Sequence, residues 1–380
     1  MYSLDLNPFN LIIIASVFIG LCFACLLIFA KRINQKANRF LGLLSLVIVF
    51  WNIWVLSLDL DLFRYLPKFY LIPVNFSLAL GPLLFFYVKK MTEPEWQFSK
   101  TTFLHLVPLA FELIVHLILC KEALGKNILA TDTNTFYTLI PIVQLFAIIS
   151  ILAYAFVSTK KLRQYHSWLK ANYSNDDKYN LRWLTRLIFI FGILWFMMVP
   201  YSLIDYFVFN FNLGIKDYYP IYILLSLITI WISIEAFLKP EIVFLEKSAR
   251  IQTVESVKPA ELSKEIVEQA HSLKLDIERN LYYLDSELSL KSLAESLDMH
   301  PNTLSKVINE GICKSFSEFI NEYRVKAVIE KLNDPAYSQI TLLGISFECG
   351  FNSKTTFNRV FKNITGKTPF AYKKSVEIYN

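Results

Sequence analysis

The stretch TLLGISFECGFNSKTTFNRVFK, Thr341 to Lys362, places two short helical patterns around one glycine. Thr341 can cap a first helix reaching Glu348, because a hydroxyl at that position accepts from a free backbone N–H of the first turn. Gly350 supplies the turn, and Asn352 or Ser353 caps the helix that follows. In that helix Phe357, Val360 and Phe361 share one side, while Lys354, Thr355, Asn358 and Arg359 share the other. From Lys354 to Lys374 there is no acidic residue, so this surface is locally basic. A buried aromatic face backed by amide, hydroxyl and cationic groups suits a polyanion.

Upstream, LSLKSLAESLDMHPNTLSKVI, Leu288 to Ile308, repeats the pattern. A helix from about Ser289 turns Leu290, Leu293, Ala294 and Leu297 inward, with the small Ala294 allowing close approach of the next helix. A turn at Asp298–His300 follows, and Pro301 opens the second helix where its missing N–H costs nothing. Leu304, Val307 and Ile308 face the core, which leaves Asn302, Ser305, Lys306 and Asn309 outward and able to pair with base edges and phosphates. Between the two motifs, SFSEFINEYRVKAVIEKL (Ser315 to Leu332) begins with a capping box, Ser315 and Glu318. At 1.5 Å per residue it makes a helix about 25 Å long. With its ends it can hold two reading helices about 34 Å apart, one turn of DNA. One such motif is also what a small bundle with a polar surface would show. Two in tandem, joined by a capped helix of that length, point to sequence-specific binding of double-stranded DNA.

These residues resemble the AraC/XylS-type regulators over about Leu273 to Lys374. The resemblance rests on LAESLDMHPNTLSKVIN, the Phe316 to Arg324 connector, GFNSKTTFNRVFK and the closing TGKTPFAYKK. It implies an all-helical domain with helix-turn-helix motifs at about 290–309 and 341–364. It also implies base-reading roles for Asn302, Ser305 and Lys306 in the first motif, and for Lys354, Thr355, Asn358 and Arg359 in the second. Asn309 and Lys362 complete the candidate DNA-binding set. Two positions depart from the family's pattern. Cys313 stands where a glycine is usual, so Gly311 is expected to take the left-handed conformation. Ser346 replaces an alanine, and its buried hydroxyl needs a backbone carbonyl partner.

Outward from this domain the chain changes character. The 380 residues are 54% hydrophobic and 16% aromatic, above the usual apolar share of about 45–50%. The excess lies between Asn7 and Leu238. Seven apolar segments can be drawn there: Pro8–Ala30, Phe40–Leu58, Tyr70–Val88, Phe103–Cys120, Phe136–Val157, Leu184–Phe209 and Tyr219–Leu238. Each approaches the ~20 residues a helix needs to cross a bilayer, and strand-like alternation is absent. The expected fold is therefore all-α: a seven-transmembrane-helix bundle over 1–238, a linker and connecting helix over 239–272, and a DNA-binding domain over 273–376. The first segment has no basic leader and too long an apolar run for a cleaved signal.

The net charge of +6 belongs to the membrane half, since residues 239–380 carry equal numbers of basic and acidic side chains. Lys31, Arg32, Lys36 and Arg39 follow the first segment; Lys89, Lys90 and Lys100 follow the third; Lys160, Lys161, Arg163, Lys170, Lys178, Arg182 and Arg186 surround the fifth-to-sixth connection. The opposite loops hold only Arg64, Lys68, Lys121, Lys126 and Lys216. This bias places the N-terminus outside and the C-terminal part in the cytoplasm of a multi-pass protein of the inner membrane.

Polar groups at membrane depth are costly. His105, Glu112 and His116 fall on one face of the fourth segment, and Asp205 follows Pro200 in the sixth. Together they are a candidate sensor pocket; the plain alternative is hydrogen bonding that fixes helix packing. Pro73, Gly81-Pro82, Pro108, Pro141 and Pro200 can kink the segments. Beyond Lys239-Pro240, Leu262, Ile266, Ala270, Leu273 and Ile277 form a helical stripe, read either as a dimerising coiled coil or, in its later part, as the first helix of the DNA-binding domain.

The five cysteines form no zinc or disulfide framework. There is no HExxH pattern or paired catalytic carboxylates, so neither an enzyme nor a cofactor is expected. The expected partners are promoter DNA and the lipid bilayer, with RNA polymerase, a second copy of the chain and an unidentified signal ligand as candidates. A transporter or channel with an appended regulatory domain is the alternative, though no inverted repeat supports it.

Overall fold

The computed structural model describes residues 6–31, 34–126, 134–175, 179–209, 213–238 and 264–377, and among them no strand occurs beyond one isolated bridge. The chain divides into two compact units, Met1–Leu162 with Leu181–Lys247, and Arg163–Asn180 with Ser248–Asn380. Residues 239–263 of the expected linker, including Leu262, lie outside the described residues.

The first unit is built from α1 (Pro8–Phe29), α2 (Gln35–Asp59), the single turn α3 (Leu62–Tyr65), α4 (Leu80–Thr92), α5 (Val107–Lys126), most of α6 (Asn134–Asn172), α7 (Arg182–Phe207) and α8 (Tyr219–Leu238). Six described stretches are long and apolar enough to cross a membrane: Pro8–Phe29, Gln35–Asp59, Lys100–Lys126, Thr138–Asn172, Arg182–Phe207 and Ile215–Ile232. Phe18, Leu117, Phe156 and Phe189 are among the large side chains left exposed on these helices, as a lipid-facing surface would require.

Several polar groups inside this unit are paired across helices. Asn7 caps α1, and Asp59 at the end of α2 accepts from Asn10 Nδ2 at 2.5 Å and from the Tyr219 hydroxyl at 2.6 Å. Phe9 stacks on Tyr219 with centroids 3.7 Å apart. Deeper, Asn52 Nδ2 donates to Ser16 Oγ at 3.2 Å, and Ser226 Oγ donates to Asn52 Oδ1 at 3.3 Å. Small side chains let the helices approach closely enough for these bonds.

The third expected span, Tyr70–Val88, is not one helix. A 3-10 turn, Pro67–Leu71, gives way to non-helical backbone at 72–76; a second 3-10 turn, Ser77–Ala79, then leads into α4. Pro73 lacks an N–H and pushes Ile72 out of the helical region. The break leaves the N–H groups of Ser77 and Leu78 without helical partners, and Glu112 of α5 takes both. Its Oε1 accepts from Ser77 N at 2.9 Å and Ser77 Oγ at 2.6 Å, and its Oε2 from Leu78 N at 2.9 Å. The 13 residues of α4 make about 20 Å of helix, short of the ~30 Å hydrocarbon core. Of the other prolines, Pro108 sits in the first turn of α5, while Pro141 and Pro200 lie inside α6 and α7.

The second unit holds α9 (Lys264–Asn280), α10 (Leu290–Ser296), α11 (Pro301–Lys306), a π-helical turn at Val307–Gly311, α12 (Phe316–Asn333), α13 (Leu342–Glu348), α14 (Lys354–Thr365) and α15 (Pro369–Glu377). Arg163–Asn180 belongs with them. Two cores form. The first joins Ala270, Leu273 and Ile277 of α9 to Leu293, Leu304 and Ile308, and to Phe316, Phe319 and Ile320 at the start of α12. The second joins Val325 and Val328, further along α12, to Ile345, Phe351, Phe357 and Phe361. One helix thus carries a core at each end. The later part of the Leu262–Ile277 stripe is spent on the first of them.

Candidate nucleic-acid interface

Each motif is fixed at its ends by short-range bonds. Ser289 caps α10, its Oγ accepting from Ser292 N at 3.1 Å. Asp298 turns the chain with φ 53. His300 Nδ1 then accepts from Asn302 N at 3.2 Å, and Pro301 occupies the first position of α11. In the second motif Thr341 Oγ1 accepts from Gly344 N at 3.1 Å, Gly350 turns with φ 86, and Ser353 rather than Asn352 caps α14 through Thr356 N at 3.1 Å. Gly366, at φ 74, ends α14. The Ser315–Glu318 capping box opens α12 as expected. The Ser315 N–H and hydroxyl both donate to Glu318 and hold its carboxyl below the usual carboxylate range, burial opposing them.

The outward faces match the expected ones. Asn302 and Lys306 are exposed on α11, with Ser305 and Asn309 half-buried beside them. Asn309 Nδ2 donates to Ser305 Oγ at 3.2 Å, and Lys306 lies 4.0 Å from Glu310. On α14, Lys354, Thr355, Asn358 and Lys362 are exposed and Arg359 is half-buried. These five line one open concavity together with Thr368, Pro369 and Phe370 at the start of α15.

The two departures resolve differently. Ser346 Oγ donates to Leu343 O at 2.7 Å, the carbonyl partner its burial requires. The left-handed residue is Cys313 itself, at φ 59, and not Gly311. Gly311 is needed for another reason: a Cβ there would lie 2.8 Å from Ala270 Cβ and 3.1 Å from Ile266. The π turn brings it against α9, and the chain reverses two residues later.

Arg324 had no assigned role in the sequence. It is 1% exposed, and its Nε donates to Tyr283 O at 2.8 Å while Nη2 donates to Asp285 O at 2.7 Å. Burial draws the guanidinium down to about 10, with Asp285 opposing, so it stays charged at neutral pH. The signal was present: Phe316, Ile320, Arg324 and Val328 recur every four residues, and a cation inside an apolar stripe must be paired. Gly350 is tied to this clamp, because a Cβ on it would lie 2.3 Å from Tyr283 O and 2.9 Å from Arg324 Nε.

The four candidate sensor residues each have partners of their own. His105 Nδ1 lies 2.6 Å from the Tyr154 hydroxyl, Glu112 caps the 3-10 turn Ser77–Ala79 that leads into α4, and His116 Nε2 lies 3.3 Å from Leu71 O and 3.4 Å from Cys120 Sγ. Asp205 accepts from Leu213 N at 3.2 Å and from the Tyr218 hydroxyl at 2.7 Å. Among the described residues no hydrogen bond joins two of the four, and no cluster suited to a metal ion occurs.

Comparison with known proteins bears on this C-terminal region. A helix-turn-helix domain family matches residues 293–375. Uncharacterized HTH-type transcriptional regulators of Staphylococcus aureus strains MSSA476 and N315 are each 33% identical over 91 residues, 24% of this chain and 12% of theirs. The Msm operon regulatory protein of Streptococcus mutans is 27% identical over 92 residues, 24% of this chain and 32% of its own. The chain thus spans about an eighth of the length of the staphylococcal relatives it matches. No solved structure matches at comparable stringency. The C-terminal part of this chain is a helix-turn-helix domain similar to those of bacterial transcription regulators.

Proposed function

We propose that the chain is a membrane-anchored transcription regulator of the AraC/XylS type. In this reading residues 273–376 bind promoter DNA through Asn302, Ser305 and Lys306 on α11, Asn309 in the π turn that follows it, and Lys354, Thr355, Asn358, Arg359 and Lys362 on α14. The observation that carries it is the pair of capped motifs, each presenting polar side chains outward, built on the two ends of one helix. The 18 residues of α12 give about 27 Å, suited to successive major grooves about 34 Å apart.

The bundle anchors this reader in the inner membrane with the N-terminus outside. The interrupted segment serves as the seventh crossing: about 20 Å of α4 helix plus about 16 Å of extended chain at 72–76 exceeds the ~30 Å core. Irregular backbone at that depth is tolerated where protein groups satisfy it, and Glu112 does so. Orientation is supported by Arg163–Asn180, which clusters with the C-terminal unit. That connection and the C-terminal part are separated by two spans, α7 and α8, and so share the cytoplasmic side. A signal received by the bundle need shift the reader's equilibrium by only about 1.4 kcal/mol to change occupancy tenfold.

Genome-wide mapping of DNA bound by the intact membrane-embedded protein tests the reading. A small set of promoters sharing one two-part site is the expected result; binding without sequence preference would refute it.

A further inference from the structure

The connection between α6 and α7 is built into the DNA-binding unit. Ser174, fully buried, donates from its N–H to Leu288 O at 3.2 Å and from its hydroxyl to the same oxygen at 2.7 Å. Its hydroxyl also accepts from Arg324 Nη2 at 3.0 Å, and its carbonyl accepts from Asn321 Nδ2 at 3.1 Å. Tyr173 pairs with Ser289, the cap of α10, in the isolated antiparallel bridge. Tyr173, Asn175 and Tyr179 border one small cleft with Leu288 and with Asn352, the residue before the cap of α14. One short segment therefore bonds to the start of the first motif and to the joining helix, and shares a cleft with the turn before the second reading helix.

We propose that this segment is a docking clasp through which the membrane bundle governs DNA binding. The docking surface is Leu288, Ser289, Asn321 and Arg324, and its occupant is the chain's own Tyr173–Asn175. Docking favours the DNA-competent form, because the polar faces of α11 and α14 stand exposed while the clasp is in place. Undocking removes a partner from the buried Arg324 and frees the start of α10 from α12. Since α6 and α7 flank the clasp, a shift of either helix would load it. This rests on the DNA-binding reading above.

The test uses the full chain in phospholipid nanodiscs, with the exposed Cys22, Cys25 and Cys313 replaced by serine, and a duplex selected from a random-sequence library by the wild-type protein. Ser174→Cys should react with a maleimide at least about tenfold more slowly than Lys170→Cys, an exposed neighbour, and saturating selected duplex should slow it further. By reciprocity, Ser174→Trp should weaken binding of the selected duplex about tenfold and leave random duplex unchanged, which also reports that the unit is folded. If Ser174→Trp loses both, Ser174→Ala decides, with about threefold weaker selected binding expected. Equal labelling at 174 and 170, or slow labelling indifferent to duplex with selected binding unaltered, would overturn the clasp while leaving the DNA reading intact. A library that yields no preferred duplex would overturn both.

Discussion

The two helices proposed to read DNA, α11 and α14, differ in how they are held and charged. The second, α14, has 12 residues, a serine cap at its start and a left-handed glycine at its end. Its polar face is free of carboxylates through Lys374. The first, α11, has six residues and runs into a π turn, with Lys306 4.0 Å from Glu310 and the Asn309 amide bonded to Ser305. A polyanion meets a ready cationic surface at α14, whereas at α11 it must compete with a neighbouring carboxylate for the lysine. On the proposed DNA-binding reading, such an asymmetry would assign most of the salt-dependent affinity to the second motif and leave the first to contribute mainly through hydrogen bonds.

The largest expected effect tests how rigidly the second motif is held. Gly350→Ala combines a left-handed φ with a Cβ 2.3 Å from Tyr283 O, and should cost about 3 kcal/mol or more of unfolding free energy in urea titration. Next, Arg359→Ala should lose about 1–3 kcal/mol on a selected duplex and little on random sequence. Equal loss on both would assign Arg359 to phosphate rather than base. Lys362→Ala should weaken all duplexes alike by about 1 kcal/mol and reduce the salt slope by about one, while Lys306→Ala should reduce it less. Equal slopes would erase the contrast between the motifs.

Smaller effects concern stability. Cys313→Gly relieves a left-handed non-glycine residue and should raise the melting free energy of the second unit by roughly 1 kcal/mol. The mildest effect is a pH dependence. Glu318 is held below its ordinary 4.5 by Ser315, so its capping contribution is complete above that value and fades as pH falls through the lowered one. At this exposed site it amounts to a few tenths of a kcal/mol. Glu318→Gln should abolish it in acid titrations of stability.

Local chemistry made much of the DNA-binding unit legible. Ser289, Pro301, Ser315, Thr341 and Gly350 act within a few residues of themselves, so caps and turns could be read from spacing alone. Hydrophobic spacing likewise put Ala270, Leu273 and Ile277 on one helical stripe without deciding its use, and the structure packs them into the first core. Contacts between distant segments were opaque. Glu112 reads as a sensing group because a carboxylate in an apolar stretch is unusual; its use as a cap depends on a chain break 34 residues away. Asp59, meeting Asn10 and Tyr219, gave no local sign. Cys313 misled because a glycine two residues earlier offered an easier left-handed position, and only its packing against α9 shows why that glycine is there. Nothing in the run around Ser174 advertises a partner 150 residues later in Arg324.

The claim that one chain reads two successive grooves is tested most directly by hydroxyl-radical footprinting of the full chain, in nanodiscs, on its selected duplex. Two protected patches on one face of the DNA, about 10 base pairs apart, are predicted, with the patch assigned to α14 lost in Arg359→Ala. A single patch, or two patches that vanish together when only one protein copy is present per nanodisc, would contradict it.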